Sequence, residues 1–284
     1  MVLVILAALF IAALFIIFRS FDARAIPLFP AIVVNYFTAF AVGALVSTPW
    51  SAGDLGPLWT PSVIMSFLFI SVFYLTGLSA QRAGVAATTV ASKMSLVLTV
   101  VFSVLVLKEH QGALGWAGIA LALAGVVLSS WSPDGRGSAR AWMLPALLFF
   151  GSAAVDIGIN IIQRTCTTPA TEAVFPTLVF GFAGLLGVAW VLLRGDRKAF
   201  GDTRTWIGGT VLGAVNYGSL YFVVKALAAS GMPSSSVFPL MNIGVILFGS
   251  LASAVLFKER PGRVHIAGIA LSVIALVLII AGRP

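Results

Sequence analysis

Long apolar runs recur along the whole chain, separated by short connectors that carry Gly, Pro, Asp and Arg. A helix that crosses the hydrocarbon core of a bilayer needs about 20 mostly apolar residues. Ten runs meet this requirement, and we number them spans 1 to 10: 2–18, 26–48, 58–80, 84–107, 113–131, 141–163, 173–193, 205–229, 233–257 and 264–282. They predict an all-α, multi-pass membrane protein with ten transmembrane helices.

Charge is too sparse for a water-soluble fold. Of the 284 residues, 60% are hydrophobic and only 9% are charged, whereas a soluble domain carries about 25% charged residues. The net charge of +8 does not indicate a nucleic-acid partner, because the basic residues are scattered and not gathered on one face. The composition excludes a soluble globular domain, a disordered chain and a nucleic-acid binder.

Residues that build common cofactor and catalytic sites are scarce. Cys166 is the single cysteine, and His110 and His265 are far apart, so the sequence contains neither a disulfide pair nor a zinc-ligand spacing. The phosphate-binding motif G-x-x-x-x-G-K-[ST] does not occur. We expect no metal, no cofactor and no catalytic residue, and therefore no enzyme.

The two halves of the chain repeat each other. Lys108-Glu109 recurs as Lys258-Glu259, and Ala117–Leu121 recurs unchanged as Ala267–Leu271, both at an offset of 150 residues. Both matches lie where one span ends and the next begins, which makes coincidence a poor explanation. The sequence predicts two five-span repeats, 1–135 and 136–284.

An odd number of spans in each repeat reverses the second repeat in the membrane. After five crossings the chain stands on the opposite side, so the second repeat has inverted topology. Inverted repeats are typical of secondary transporters, whose substrate site lies near the middle of the membrane between the repeats.

The basic residues fall mainly on one side of the predicted membrane. Twelve lie in odd-numbered connectors and three in the termini and even-numbered connectors. Because cytoplasmic loops are enriched in Lys and Arg, this count favours both termini outside the cytoplasm. The twelve are Arg19, Arg24, Arg82, Arg136, Arg140, Arg194, Arg197, Lys198, Arg204, Lys258, Arg260 and Arg263.

Each repeat closes one apolar span on Lys-Glu, turns, and begins a Gly/Ala-rich span. The stretches are Leu105–Glu109 with Trp116–Leu121, and Val255–Glu259 with Ile266–Leu271. This pattern resembles the drug/metabolite transporter superfamily, EamA type, over essentially the whole chain. The resemblance implies two inverted five-helix repeats around a cavity lined mainly by spans 1, 3, 4, 6, 8 and 9. It also implies export or exchange of small metabolites in the bacterial inner membrane, without a bound cofactor.

The resemblance also implies that both termini lie in the cytoplasm, opposite to the charge count, and the orientation stays open between the two. Glu109 and Glu259 match the motif but lie in connectors. There we expect them to cap or pair at helix ends and not to bind the solute.

Three charged residues fall inside spans, where ionised side chains are costly and usually face a cavity, a partner or water. Lys93 lies near the middle of span 4, and Asp156 lies off-centre in span 6. We expect them to bind the solute or carry coupling protons, or else to form a static pair that joins the two spans. Lys225, near the end of span 8, could instead extend its ammonium group to the interface.

Uncharged polar residues at depth extend the predicted cavity. Pro239 removes a backbone donor and predicts a break in span 9, which is tolerated at membrane depth only beside protein or a cavity. For each polar residue the alternative is ordinary hydrogen bonding between helices. The candidates are Tyr74, Asn160, Asn216, Tyr217, Tyr221 and Asn242, with Asn35 and Tyr36 ranked lower because span 2 is expected to be peripheral.

Two groups of glycines predict close helix packing and not a binding site. Gly209 and Gly213 form a G-x-x-x-G motif, and Gly181, Gly184 and Gly187 are spaced along span 7. Small residues at these spacings let helix backbones approach in a membrane.

The expected function is secondary transport of a small polar or amphipathic organic metabolite by alternating access. The cavity lysine favours an anionic or zwitterionic solute such as an amino acid, and Asp156 with Lys93 suggests coupling to protons. The alternatives are efflux of a drug or lipophilic cation, with Asp156 as the counter-charge, and a membrane scaffold that transports nothing. The expected partners are the solute, protons and the lipid bilayer, and a monomer is compatible with this function.

Overall fold

The computed structural model of the chain describes residues 2–106, 112–130, 139–168, 170–171, 174–194, 200–229, 234–258 and 262–282. Over these residues the regular secondary structure is helical, and no strand occurs among them. The helices are α1 (Val2–Ala23), α2 (Leu28–Ser47), α3 (Gly56–Arg82), α4 (Val85–Met94), α5 (Leu96–Leu105), α6 (Ala113–Ser130), α7 (Ala139–Thr165), α8 (Val174–Arg194), α9 (Thr203–Ala229), α10 (Ser234–Leu256) and α11 (Arg263–Ala281), with a 3-10 turn at Pro49–Ser51.

The predicted spans coincide with these helices, with one exception. Helix ends differ from the predicted ends by at most five residues, as at α1, which continues to Ala23. Span 4 is not one helix but two, α4 and α5, which are separated at Ser95. The motif residues Lys108, Glu109 and Glu259 lie outside the described part of the chain.

Polar side chains and glycines set several helix boundaries. Asp54 Oδ1 accepts a hydrogen bond from Gly56 N at 2.8 Å, and Asp202 Oδ1 accepts one from Arg204 N at 2.9 Å. Carboxylates satisfy the free N–H groups at a helix start in this way. Between α3 and α4, Gly84 has a φ of 88°, a conformation that glycine adopts without a Cβ penalty.

Within the part of the chain that the structure describes, four helices are long and apolar enough to cross a membrane: Val2–Ala23, Leu28–Ser51, Gly56–Arg82 and Val174–Arg194. Shorter apolar helical stretches lie at Val85–Thr99, Ala113–Gly125, Met143–Ile159, Met241–Leu256 and Ile266–Leu278. Large apolar side chains also point outward, among them Leu193 at 84% exposure and Leu45 at 75%. A soluble monomer rarely exposes large apolar patches, whereas a bilayer solvates them.

The chain forms two compact units. Unit 1 contains Met1–Arg19, Leu75–Ala153 and Ser219–Pro284, and unit 2 contains Ser20–Tyr74 and Ala154–Gly218. Each unit draws on both halves of the sequence. The division into repeats 1–135 and 136–284 concerns similarity along the chain and stays a prediction.

In unit 1, α6 packs against α11 and α4 packs against both α6 and α10. One buried cluster joins Val90 and Met94 of α4 with Ile119 of α6, Ile246 of α10 and Leu276 of α11. At one end, Gly112 N, just before α6, donates to Gly282 O, just after α11, at 2.8 Å.

In unit 2, α2 packs along α8 through the predicted glycine series. A Cβ added at Gly181 would lie 2.9 Å from the Phe40 ring, and one at Gly187 would lie 2.6 Å from Val33 Cγ2. Ser47 and Thr177 hydroxyls meet at 3.1 Å at the end of this contact. The predicted packing role of the span 7 glycines is confirmed.

Candidate functional site

Helix α4 carries several buried polar side chains within a mostly apolar span. Thr88 and Thr89 are fully buried, and Thr88 meets the Ser79 hydroxyl at 2.8 Å. One turn further on, the Ser92 hydroxyl meets that of Ser152 on α7 at 3.3 Å. These contacts fix the helix that presents Lys93.

The helix is interrupted two residues after Lys93. Helix α4 ends at Met94, and the buried Ser95 side chain donates from Oγ to the Ser92 carbonyl at 2.6 Å. A serine hydroxyl that bonds back to the preceding turn competes with the backbone ladder and bends helices. The interruption is a local change of hydrogen bonding: Ser95 keeps a helical conformation (φ −51°, ψ −25°), and its carbonyl accepts from Leu98 N at 2.9 Å and from Thr99 N at 3.3 Å. Lys93 therefore lies one turn or less from a 3-10-type step in the middle of a span.

One face of α4 points toward α10. A Cβ added at Gly249 of α10 would lie 2.6 Å from Thr89 Cγ2. Lys93 follows Thr89 by four residues and so shares its helix face. On α10, Asn242 is 9% exposed and lies four residues before Ile246. Ile246 belongs to the buried cluster that contains Val90 and Met94 of α4. By helix register, Lys93 and Asn242 therefore lie on the faces through which α4 and α10 pack.

The chemistry of this interface suits an anion. Lys93 is half-buried and takes part in interactions within the protein. An ammonium group donates up to three hydrogen bonds and an asparagine amide donates two. Donation from a charged group to a carboxylate is stronger than a neutral hydrogen bond. A carboxylate-bearing solute therefore matches these donors.

Unit 1 also contains Tyr221, Lys225 and Pro239. Tyr221 is 42% exposed and its ring lies 5.5 Å from that of Phe222, edge to face. Lys225 lies within α9 and Pro239 within α10, which runs without interruption from Ser234 to Leu256. The break predicted at Pro239 is therefore not present as a gap in the helix, and the side chains of Lys225 and Pro239 lie outside the described part.

Unit 2 holds the other candidates. Tyr74 is half-buried and its ring stands edge-on to Phe29 at 5.6 Å, whereas Asp156 is exposed on α7. Asn160 lies on α7 one turn later, with its side chain outside the described part, and Tyr217 is half-buried. The predicted Lys93–Asp156 pair would join the two units and stays a prediction.

Asn216, also in unit 2, is buried and donates from Nδ2 to Asn35 Oδ1 at 3.2 Å. Asn35 and Tyr36, which the sequence ranked lower, are buried almost completely. This arrangement is the hydrogen bonding between helices that the sequence left as the alternative for Asn216.

Sequence reasoning missed a contact at the ends of three helices in unit 1. Arg19 Nη1 donates to the Gln81 carbonyl, Gln81 Nε2 donates to the Phe18 carbonyl at 3.2 Å, and the Arg19 guanidinium lies 5.9 Å from the Phe257 ring centre. The ends of α1, α3 and α10 thus meet. All three ends adjoin odd-numbered connectors, which the sequence predicts on the side of the membrane that carries most Lys and Arg. In the sequence, the charge of Arg19 was the signal that could have indicated this contact.

No known protein-family profile matches the chain. It is 25% identical to an uncharacterized protein of Haemophilus influenzae over 259 aligned residues. The aligned region covers 87% of this chain and 86% of the relative. It also resembles a protein of known crystal structure with a TM-score of 0.62 and 17% identity, over 98% of this chain and 94% of the other. At that identity the likeness shows the fold alone.

Proposed function

We propose that the chain is a secondary transporter of the drug/metabolite type, which moves a small anionic or zwitterionic organic metabolite across the inner membrane. It works by alternating access, as an exporter or exchanger, and spans the membrane ten times in two inverted repeats. Coupling to protons is a hypothesis that rests on Asp156 and Lys93.

Lys93 beside the Ser95 interruption is the observation that carries the proposal. Ionisable residues inside spans are rare and usually mark solute or proton pathways. A local 3-10 pattern within a longer helix often marks a functional hinge. Spans 4 and 9 are equivalent positions of the two predicted repeats, and α4 and α10 pack together in unit 1. A site at their interface is where an inverted-repeat transporter would bind its solute.

Contacts at the helix ends support alternating crossings. The start of span 5 meets the end of span 10 through Gly112 and Gly282. The ends of spans 1, 3 and 9 meet around Arg19. An alternating ten-span topology places each of these sets on one side of the membrane.

The test begins with a thermal-shift screen of amino acids and other small carboxylates on the purified full chain, followed by counterflow in proteoliposomes. We expect a carboxylate that stabilises the protein and exchanges across the vesicle membrane. Lys93→Gln should raise the KM for that solute about tenfold or more, since a lost charged hydrogen bond costs roughly 1.5–3 kcal/mol.

Two variants serve as controls. Lys93→Arg keeps the charge and should retain part of the uptake, and Arg82→Gln removes an exposed charge at the end of α3 and should leave the KM unchanged. Stabilisation and counterflow by lipophilic cations, and none by carboxylates, would favour cation efflux instead. Absence of counterflow by either class, in a protein that is folded, would contradict transport.

A further inference from the structure

Unit 2 contains an apolar groove that the transport proposal does not use. It has a volume of about 220 Å³ and lies among α2, the end of α8 and the start of α9. Its lining includes Val33, Phe37, Val188, Leu192, Phe200 and Trp206. All of these side chains are apolar apart from the indole nitrogen, and that nitrogen donates to the Phe200 carbonyl at 2.8 Å.

The groove begins at helix ends and extends into the helices, since Val33 and Phe37 lie five and nine residues after the start of α2. Leu192 is two residues from the end of α8 at Arg194, and Trp206 is three residues from the start of α9. At a rise of about 1.5 Å per residue, both lie within roughly 5 Å of those ends. The start of α2 meets α9 nearby, since a Cβ at Gly208 would lie 3.2 Å from Ile26 Cδ1. The groove therefore opens near the level of lipid headgroups.

Exposed arginines lie at or beside each of the three helix ends that border the groove. Arg24 precedes α2, Arg194 ends α8 and Arg204 lies in the first turn of α9. The Arg194 guanidinium lies 4.8 Å from the ring centre of Trp190, which is half-exposed. Trp and Arg side chains at this level are typical of membrane interfaces. Two aspartates, Asp22 and Asp202, lie nearby, and Asp202 is engaged by the Arg204 backbone N–H.

We infer that the groove binds one anionic phospholipid, with its acyl chain along the apolar lining and its headgroup phosphate on Arg194 and Arg204. The apolar walls match a hydrocarbon chain, and the arginines match a phosphate, which guanidinium groups bind in a bidentate manner. Basic clusters at the ends of membrane helices attract anionic lipids in the same way. A zwitterionic lipid would offer its phosphate together with an opposing positive charge, so the site selects by headgroup charge.

The experiment measures lipid retained on the full chain by native mass spectrometry. Detergent-purified protein is mixed with phosphatidylglycerol or phosphatidylcholine that carry identical acyl chains. We expect one bound phosphatidylglycerol at concentrations where phosphatidylcholine does not bind. The double variant Arg194→Gln/Arg204→Gln should weaken phosphatidylglycerol binding by roughly tenfold or more. The variant Val188→Trp, which fills the groove without changing charge, should weaken it as well.

Arg82→Gln/Arg263→Gln is the matched control, because it removes two exposed arginines from unit 1. It should bind phosphatidylglycerol like the unmodified chain. Equal binding of the two lipids, or undiminished binding to the Arg194/Arg204 variant, would overturn the assignment. Transport activity does not enter this measurement, so the outcome is independent of the proposed function.

Discussion

Asn216 of α9 donates a hydrogen bond to Asn35 of α2 at 3.2 Å, in a buried position of unit 2. Gly213 lies three residues before Asn216 and Gly209 seven, so the three residues share one face of α9. That face meets α2 closely: Cβ atoms at Gly209 and Gly213 would lie 2.7 Å from the Ala31 and Asn35 carbonyl oxygens. The amide pair therefore belongs to a close helix–helix contact built on the G-x-x-x-G motif.

Replacing either asparagine by alanine should destabilise unit 2 by about 1 kcal/mol, in the range measured for hydrogen bonds between membrane helices. The two substitutions should be less than additive, because each already removes the same bond. Thermal unfolding of the detergent-purified variants measures this coupling. Additive losses, together with a raised KM for Asn216→Ala at unchanged stability, would instead place Asn216 in the solute site.

Gly213→Ala should destabilise the protein by about 1–3 kcal/mol, because overpacking forces neighbouring side chains and backbone apart. The added methyl group would overlap Thr38 Cβ at 2.6 Å as well as the α2 backbone. Gly201→Ala is the matched control, since a Cβ there meets nothing within 4 Å. Equal melting temperatures of the two variants would show that α2 and α9 do not pack this closely.

Arg19→Gln should loosen the meeting of α1, α3 and α10. It removes charged donation to the Gln81 carbonyl and the cation–π contact with Phe257, which together are worth about 2 kcal/mol or more. The readout is labelling of Ser79→Cys by a membrane-impermeant maleimide, with Cys166→Ser as background, because Ser79 is buried near this end of α3. Labelling should accelerate with Arg19→Gln and not with Arg82→Gln. Unchanged labelling would mean that the contact does not restrict access from this side.

Ser95→Ala should lower the transport rate about tenfold without unfolding the chain, equivalent to about 1.4 kcal/mol in the transport barrier. The substitution removes the 2.6 Å bond from Ser95 Oγ to the Ser92 carbonyl and favours regular α-helical hydrogen bonding past Lys93. Ser95→Thr keeps the hydroxyl and should restore the rate. If the Ser95→Ala variant transports at the normal rate, the interruption at Ser95 is not required for transport.

Asp156→Asn should abolish any acceleration of transport by a pH gradient, because the amide cannot take up or release a proton in this range. Proteoliposomes with and without an imposed gradient provide the comparison, at equal solute concentration. If Asp156→Asn responds to the gradient as fully as the unmodified chain, Asp156 is not the coupling group.

The sequence by itself determined the helical class, the helix positions to within five residues and the packing role of the glycines. These features depend on the length of each apolar run and on small residues at helical spacings, and they do not depend on which helix packs alongside. It also selected Lys93, since a charge inside an apolar run is costly wherever the run packs.

Only the tertiary structure decided what each polar side chain contacts. Asn216 and Asn242 are both asparagines in apolar runs, yet Asn216 bonds to Asn35 and Asn242 lies on α10, which packs against α4. The interruption at Ser95 likewise depends on where a hydroxyl points, which the spacing of Ser92 and Ser95 permits but does not require. The groove exists because α2, which is far along the chain from α8 and α9, lies against the end of α8 and the start of α9.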